Sequence, residues 1–133
     1  MNENEKKLEE ELGRVIILLD QYFDPKRSRM LGKFYKTYVN EQINWERFLE
    51  LSEANNRVFI SDIELLLKAY RGNGIYMANE ELYEIDRLIS IGLLQRNPLS
   101  NIRDFNSTRG TVNNEKDILI TSFGSLFVRL ITI

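Results

Sequence analysis

Apolar residues recur at intervals of three and four along most of this chain, which is the spacing of one face of an α-helix. The first such stretch predicts a helix from Glu3 to about Tyr22. Its apolar stripe consists of Leu8, Leu12, Val15, Ile16, Leu19 and Tyr22. Ile17 and Leu18 widen this stripe, which favours burial on more than one side and leaves a contact between copies of the chain open.

Cap signals divide the rest of this pattern into further helices. Asp24 as N-cap and Pro25 at the first helical position predict a second helix from Pro25 to Val39. Asn44 is the expected N-cap of a third helix, from Trp45 to about Asn55.

Two more helices follow in the same way. Ser61 and Glu64 have the spacing of a capping box and predict a helix that runs to about Tyr70 and stops at Gly72-Asn73-Gly74. Asn79 is the expected cap of a helix from Glu80 to Ile91, with Leu82, Ile85, Leu88 and Ile89 as its stripe. Gly92 stands where a left-handed C-cap is needed.

The pattern changes after Gly92. Leu93-Leu94 begins a strand, a polar stretch from Arg96 to Lys116 follows, and Ile118-Leu119-Ile120 is the partner strand. Thr121 or Ser122 caps a last helix whose predicted stripe is Phe123, Leu126, Phe127 and Leu130. We predict a mainly α fold of five to six helices with a C-terminal β-hairpin. The 133 residues are expected to form a single domain, with a helical N-terminal part (1–58) and a hairpin-containing part (59–133).

The composition argues against most enzyme chemistry. The chain has no cysteine and no histidine, which excludes disulfides and thiolate metal sites and removes the commonest general base and metal ligand. We therefore predict no catalytic residues, no metal site and no cofactor. The longest apolar run, Val15 to Leu19, is far shorter than the ~20 residues that span a bilayer. A cytoplasmic protein without membrane contact is expected.

The run Ile85-Asp86-Arg87-Leu88-Ile89-Ser90-Ile91-Gly92-Leu93-Leu94-Gln95-Arg96, followed by a loop and Ile118-Leu119-Ile120-Thr121-Ser122-Phe123-Gly124, resembles the second half of a winged helix-turn-helix domain. This resemblance implies a hairpin wing and a final helix that Gly124 allows to approach the sheet closely. Only residues 71–79 separate the fourth and fifth helices, so the family's intervening helix is missing or reduced to a turn.

A second resemblance concerns the whole chain. Leu31-Gly32-Lys33-Phe34-Tyr35 and Ile43-Asn44-Trp45-Glu46-Arg47-Phe48-Leu49, ahead of a winged-helix-like tail, are similar to small uncharacterised proteins of phages and mobile elements of low-GC Gram-positive bacteria. This similarity implies a role in defence, counter-defence or regulation and carries no catalytic residues.

The net charge of −2 is unevenly distributed. Lys26, Arg29, Lys33 and Lys36 share one face of the second helix, within about 80° at ~100° per residue. They are candidates for contact with an acidic partner or an anion, and the alternative is a solvated face that pairs with the acidic first helix. Arg96, Arg103, Arg109 and Lys116 are candidates for contacts by the wing, against the alternative of an exposed hairpin.

The helix in the recognition position is acidic. Glu80, Glu81, Glu84 and Asp86 accompany a single base, Arg87. DNA-binding helices normally carry lysine and arginine that neutralise phosphates, so this helix disfavours nucleic acid. We predict a non-enzymatic binding protein that acts through protein–protein contacts, with a homo-oligomer left open. The alternative is a winged-helix DNA-binding transcriptional regulator.

Overall fold

The computed structural model describes residues 2–20, 24–99 and 115–133. Its contacts divide the chain into two compact units, residues 1–56 with Ile133 and residues 57–132. The chain is mainly helical, with a two-stranded antiparallel hairpin near the C-terminus, which confirms the predicted fold class. No helix in the described ranges is long and apolar enough to cross a membrane.

The first unit consists of three helices: α1 (Glu3–Asp20), α2 (Pro25–Val39) and α3 (Trp45–Arg57). Both predicted caps form, because the side chain of Asp24 accepts a hydrogen bond from the Lys26 amide and that of Asn44 accepts one from the Arg47 amide, each at 2.8 Å. The predicted end of the first helix, Tyr22, lies outside the described residues. The buried apolar residues of this unit are Val15, Met30, Leu31, Phe34, Phe48, Leu51 and Ala54.

The burial predicted for the α1 stripe is confirmed for Val15 and wrong for four of its other residues. Leu8, Leu12, Ile16 and Leu19 are all exposed, and the buried residues of this helix are Glu11 and Val15. Glu11 is on the covered side of α1, where it accepts a hydrogen bond from the Tyr38 hydroxyl of α2. The covered side therefore includes a polar contact, and most of the predicted apolar stripe lies beside it.

The second unit contains two 3₁₀ turns (Ile60–Asp62 and Met77–Asn79), two helices, the hairpin and a last helix. The remaining elements are α4 (Ile63–Arg71), α5 (Leu82–Ile91), β1 (Leu94–Arg96), β2 (Ile118–Ile120) and α6 (Ser122–Ile131). Leu94 pairs with Ile120 and Arg96 with Ile118 across the hairpin. Ile75 adds an isolated antiparallel bridge to Ile118. A short 3₁₀ turn thus stands between α4 and α5, where the winged helix-turn-helix pattern has a full helix.

Two predicted helix starts are wrong. Ser61 lies in the first 3₁₀ turn, α4 begins after Asp62, and no side chain caps it, so the capping box does not form. Asn79 ends the second 3₁₀ turn, and α5 begins two residues later than predicted, after Glu81. In the first place the Ile63 amide, which a Ser61 cap would bind, donates instead to the Ile60 carbonyl. In the second place the amides of Asn79 and Glu80 donate to the carbonyls of Tyr76 and Met77.

Two glycines act as the sequence predicted. Gly92 ends α5 in the left-handed conformation, with φ of 88°. A Cβ on Gly124 would lie 2.1 Å from the carbonyl oxygen of Leu93, so only glycine lets α6 approach β1 this closely. Thr121 caps α6 by accepting a hydrogen bond from the Gly124 amide, at 2.8 Å.

The core of the second unit draws on its three helices, its two strands and residues between them. Its buried apolar residues are Val58, Ile63, Leu65, Leu66, Ala69, Ile75, Ile85, Leu88, Leu93, Leu94, Ile118, Phe127, Val128 and Leu130. Phe123 and Leu126, which were predicted to be buried, are half-buried, because Gly124 and Val128 form the centre of the covered face of α6. Leu82 is exposed, since it is the first residue of α5 and lies beyond the core.

Candidate protein-interaction surface

A buried ion pair organises one surface of the second unit. The side chain of Asp62 has no exposed area, and its two carboxylate oxygens accept hydrogen bonds from Nε and a terminal nitrogen of Arg87, at 2.8 and 2.7 Å. These hydrogen bonds raise the pKa of the Arg87 guanidinium above its ordinary value. A two-point contact of this kind restricts both the position and the plane of the guanidinium.

Two aromatic rings lie against this guanidinium. Its central carbon is 4.5 Å from the ring centroid of Phe59 and 5.1 Å from that of Tyr83, within the range of cation–π attraction. Both rings are nevertheless open to solvent, Phe59 being 54% and Tyr83 58% exposed, and the neighbouring Leu82 is 52% exposed. We refer to Phe59, Tyr83 and Arg87 as the Arg87 patch.

Four acidic residues lie on α5 or in the two residues before it, and one of them, Glu84, lies close to Arg87. Glu80 binds Lys68, and Asp86 pairs with Arg96 at 3.1 Å. Glu81 and Glu84 belong to none of the ion pairs found within the described ranges, and Glu84 contributes to the raised pKa of Arg87. The patch therefore combines exposed apolar area with an acidic border.

The predicted basic stripe lies on α2, as the spacing implies. Lys26, Arg29 and Lys36 are exposed, and Lys33 is half-buried. Within the described part of the chain, no ion pair joins Lys26, Arg29 or Lys36 to the acids of α1. Their charges therefore face solvent.

Of the four predicted wing residues, the structure describes Arg96, in β1, and Lys116, two residues before β2. Arg96 pairs with Asp86, and the Lys116 ammonium lies 4.2 Å from the ring centroid of Tyr76. Arg103 and Arg109 lie outside the described residues. The two described bases of the hairpin are thus already engaged with side chains of their own unit.

Aromatic side chains form a cluster in the first unit. Trp45 and Phe48 stack with ring centroids 4.9 Å apart, and Tyr38 lies 5.2 Å from Trp45. The hydrogen bond that Tyr38 donates to Glu11 raises the pKa of its phenol to about 12, and burial adds to the rise. Trp45 and Tyr38 are half-buried, so this cluster is chiefly part of the packing of the three helices.

Sequence reasoning missed the Arg87 patch. It placed Leu82 in the buried stripe of the fifth helix and treated Arg87 only as the one base among acids. The local signal that points to the patch is Tyr83, which lies ~100° away from the neighbouring stripe residue Leu82 and only ~40° away from Arg87 on the same helix. The contribution of Phe59, 28 residues away from Arg87 in the chain, has no local signal.

Within the described ranges, no group of three or more aspartate or glutamate side chains is placed to hold a metal ion. Comparisons of the chain with protein-family models, with curated proteins and with solved structures find no match.

Proposed function

We propose that this chain is a non-enzymatic binding protein that acts through protein–protein contacts, and that the Arg87 patch is its contact surface. The observation that carries this proposal is the exposure of Phe59 and Tyr83 around an arginine that a buried carboxylate holds in place. Tyrosine and arginine are enriched in the side chains that dominate protein interfaces. Exposed apolar side chains that lie together mark interaction sites more often than isolated ones do.

Pre-organisation of the patch supports this role. A partner that binds a mobile arginine must immobilise it at an entropic cost. Arg87 has already lost this freedom through its hydrogen bonds to Asp62 and its contacts with Phe59 and Tyr83. Binding at this surface therefore costs little further side-chain entropy.

The order of elements supports a winged-helix-like second unit. A helix, a bridging residue, a turn, a second helix, a hairpin and a final helix follow one another from Ile63 to Ile131. In that arrangement α5 takes the recognition position. Its border of Glu81 and Glu84 repels phosphates and favours a protein partner over DNA.

The composition, and the sequence segments that resemble phage proteins, support the biological context that we propose. The lack of histidine and cysteine favours binding over catalysis. We propose that the protein acts in the cytoplasm, in phage- or mobile-element-associated defence, counter-defence or regulation. The partner is a protein whose contact surface complements an apolar centre with an acidic border.

The test is affinity capture with the full chain from its host, with protein and nucleic acid identified in the same eluate and the captured protein then rebound in purified form. We expect Tyr83→Ala and Phe59→Ala to lose this protein and Tyr70→Ala, which truncates another exposed tyrosine of the same unit, to retain it. Equal rebinding by wild type and Tyr83→Ala would contradict the proposal.

DNA binding by α2 is the second candidate function, and the exposure of Lys26, Arg29 and Lys36 favours it. Each phosphate contact that these bases make would steepen the dependence of affinity on salt. Replacement of all four stripe residues, Lys33 included, by glutamine should then abolish DNA binding. Affinity that is insensitive to salt, or unchanged in this variant, would exclude the candidate.

A further inference from the structure

The guanidinium of Arg87 has hydrogen-bond donors beyond those that bind Asp62. A guanidinium carries five N–H groups. Nε and Nη2 of Arg87 each direct one of them to the Asp62 carboxylate, and no other hydrogen bond from this side chain is found among the described residues. Nη1 therefore keeps two N–H groups and Nη2 keeps one. The Arg87 side chain is 31% exposed, so a bound group can reach it.

The charges beside Arg87 favour an uncharged acceptor for these N–H groups over a carboxylate. Asp62 neutralises the guanidinium and Glu84 lies close to it, so the three groups together have a charge of −1. A carboxylate from a partner would lie near two like charges, which repel it. A main-chain carbonyl oxygen accepts the same hydrogen bonds without this repulsion.

The two segments that contain the Arg87 patch are acidic as a whole. Residues 57–64 and 80–87 contain six acids and two bases, Arg57 and Arg87. Lys68 and Arg96, which lie outside these segments, each pair with one of the acids. With these two bases included, the net charge is −2. This surface therefore attracts cationic side chains and repels phosphates and acidic segments.

From these donors, rings and charges, we infer that the Arg87 patch binds a short basic segment of its partner. An apolar side chain of the segment packs on the exposed rings of Phe59 and Tyr83. A neighbouring main-chain carbonyl accepts hydrogen bonds from Arg87, and a lysine or arginine of the segment lies beside Glu84. The inference rests on the proposed function and names the kind of segment that the patch recognises.

A random library of short peptides, selected on the immobilised full chain, is the probe. The enriched peptides should contain lysine or arginine next to a leucine or an aromatic residue, with fewer aspartates and glutamates than the starting library. Fluorescence anisotropy then measures the affinity of the best peptide for each variant. Tyr83→Ala should weaken binding by about tenfold or more, and Tyr70→Ala should leave it unchanged.

Two charge reversals supply a matched test of the basic side chain. Glu84→Lys should weaken binding of the same peptide by about tenfold or more, because like charges then meet. Glu9→Lys makes the same change in net charge at an exposed position of the first unit and should leave the affinity unchanged. Circular dichroism checks that each variant is folded. Added salt should weaken binding to the wild type.

Three results would overturn the inference and leave the proposed contact surface standing. The first is an enriched set that is acidic, or that keeps an aspartate or glutamate beside the apolar residue, and still needs Tyr83. The second is a peptide that needs Tyr83 but binds Glu84→Lys as well as the wild type. The third is a library without any binding peptide, because a folded partner surface requires no linear segment.

A different result would count against the proposed function as well. If the selected peptides bound the wild type, Tyr83→Ala and Glu84→Lys equally, they would occupy another surface of the chain. The inference and the contact surface proposed at the Arg87 patch would then fail together.

Discussion

Arg87 donates two hydrogen bonds to Asp62 and thereby fastens α5 to the residue that precedes α4. Asp62 has no exposed side-chain area, and a carboxylate without water needs partners that replace its hydration. Arg87 supplies a hydrogen-bond donor for each of the two carboxylate oxygens, and its guanidinium is also in contact with the rings of Phe59 and Tyr83. The ion pair therefore satisfies a buried carboxylate on one side and contacts the two exposed rings, through Arg87, on the other.

This ion pair should matter more for stability than its exposed counterpart on the same helix. Asp86 and Arg96 form a pair in which both side chains are about half exposed, and such pairs contribute at most about 1 kcal/mol. Asp62→Ala should lower the free energy of unfolding by clearly more than Asp86→Ala does. Urea denaturation of the two variants measures the difference. Equal losses would show that burial does not strengthen the Asp62 contact.

Alkaline pH should weaken the first unit through Tyr38. Its phenol has a pKa raised from 10.0 to about 12, chiefly by the hydrogen bond to Glu11, so the folded protein retains a proton that the unfolded chain loses. The stabilisation is complete below about pH 10 and is lost as the pH rises to about 12. Denaturation at a series of pH values should show this decline in the wild type and a smaller one in Tyr38→Phe. A Tyr70→Phe control should decline like the wild type.

Removal of the Tyr38 hydroxyl should also cost stability at neutral pH. Glu11 is only 6% exposed, and one of its carboxylate oxygens already has no hydrogen-bond partner among the described residues. Tyr38→Phe leaves the second oxygen without its donor, which costs about 1 to 3 kcal/mol. Thermal unfolding of this variant at pH 7 would be unchanged only if water replaced the hydroxyl at no cost.

Two glycine substitutions should have opposite effects. Gly124→Ala places a methyl group against the Leu93 carbonyl and should destabilise the second unit by about 1 to 3 kcal/mol or more. Gly32 lies within α2 with no atom within 4 Å of an added Cβ. Gly32→Ala should stabilise the chain by about 0.5 to 1 kcal/mol, because alanine loses less entropy in a helix. Calorimetry of both variants measures the two signs.

Alanine substitutions at the predicted N-caps distinguish the two caps that form from the one that does not. Asp24→Ala and Asn44→Ala each remove a hydrogen bond to a helix amide and should cost about 0.5 to 2 kcal/mol. Ser61→Ala should change stability by less than about 0.5 kcal/mol, since Ser61 is exposed and no capping box forms there. If Ser61→Ala lost as much stability as Asp24→Ala, the capping box would have to form after all.

Features that depend on near neighbours in the chain were predictable. Asp24-Pro25 starts α2 and Thr121 caps α6, because a cap binds an amide within three residues of itself. Gly92 ends α5 because its lack of a Cβ permits a positive φ, and the strands after it follow from the break in helical spacing. The helix starts that were wrongly predicted at Ser61 and Asn79 also have a local cause. Each of these residues lies in a 3₁₀ turn, and such turns use the same residue types as the caps of α-helices.

The sequence by itself determined where the helices and the hairpin lie, that the chain has no histidine or cysteine, and that α2 has a basic face. Only the tertiary structure decided which apolar residues are covered and which face solvent. Periodicity identifies residues that share a face, but the neighbour that covers a face is set by contacts between distant segments. Glu11 and Tyr38, 27 residues apart, form a contact on the covered side of α1, beside leucines that are exposed. Asp62 binds Arg87, 25 residues away, and Arg87 in turn contacts the exposed rings of Phe59 and Tyr83.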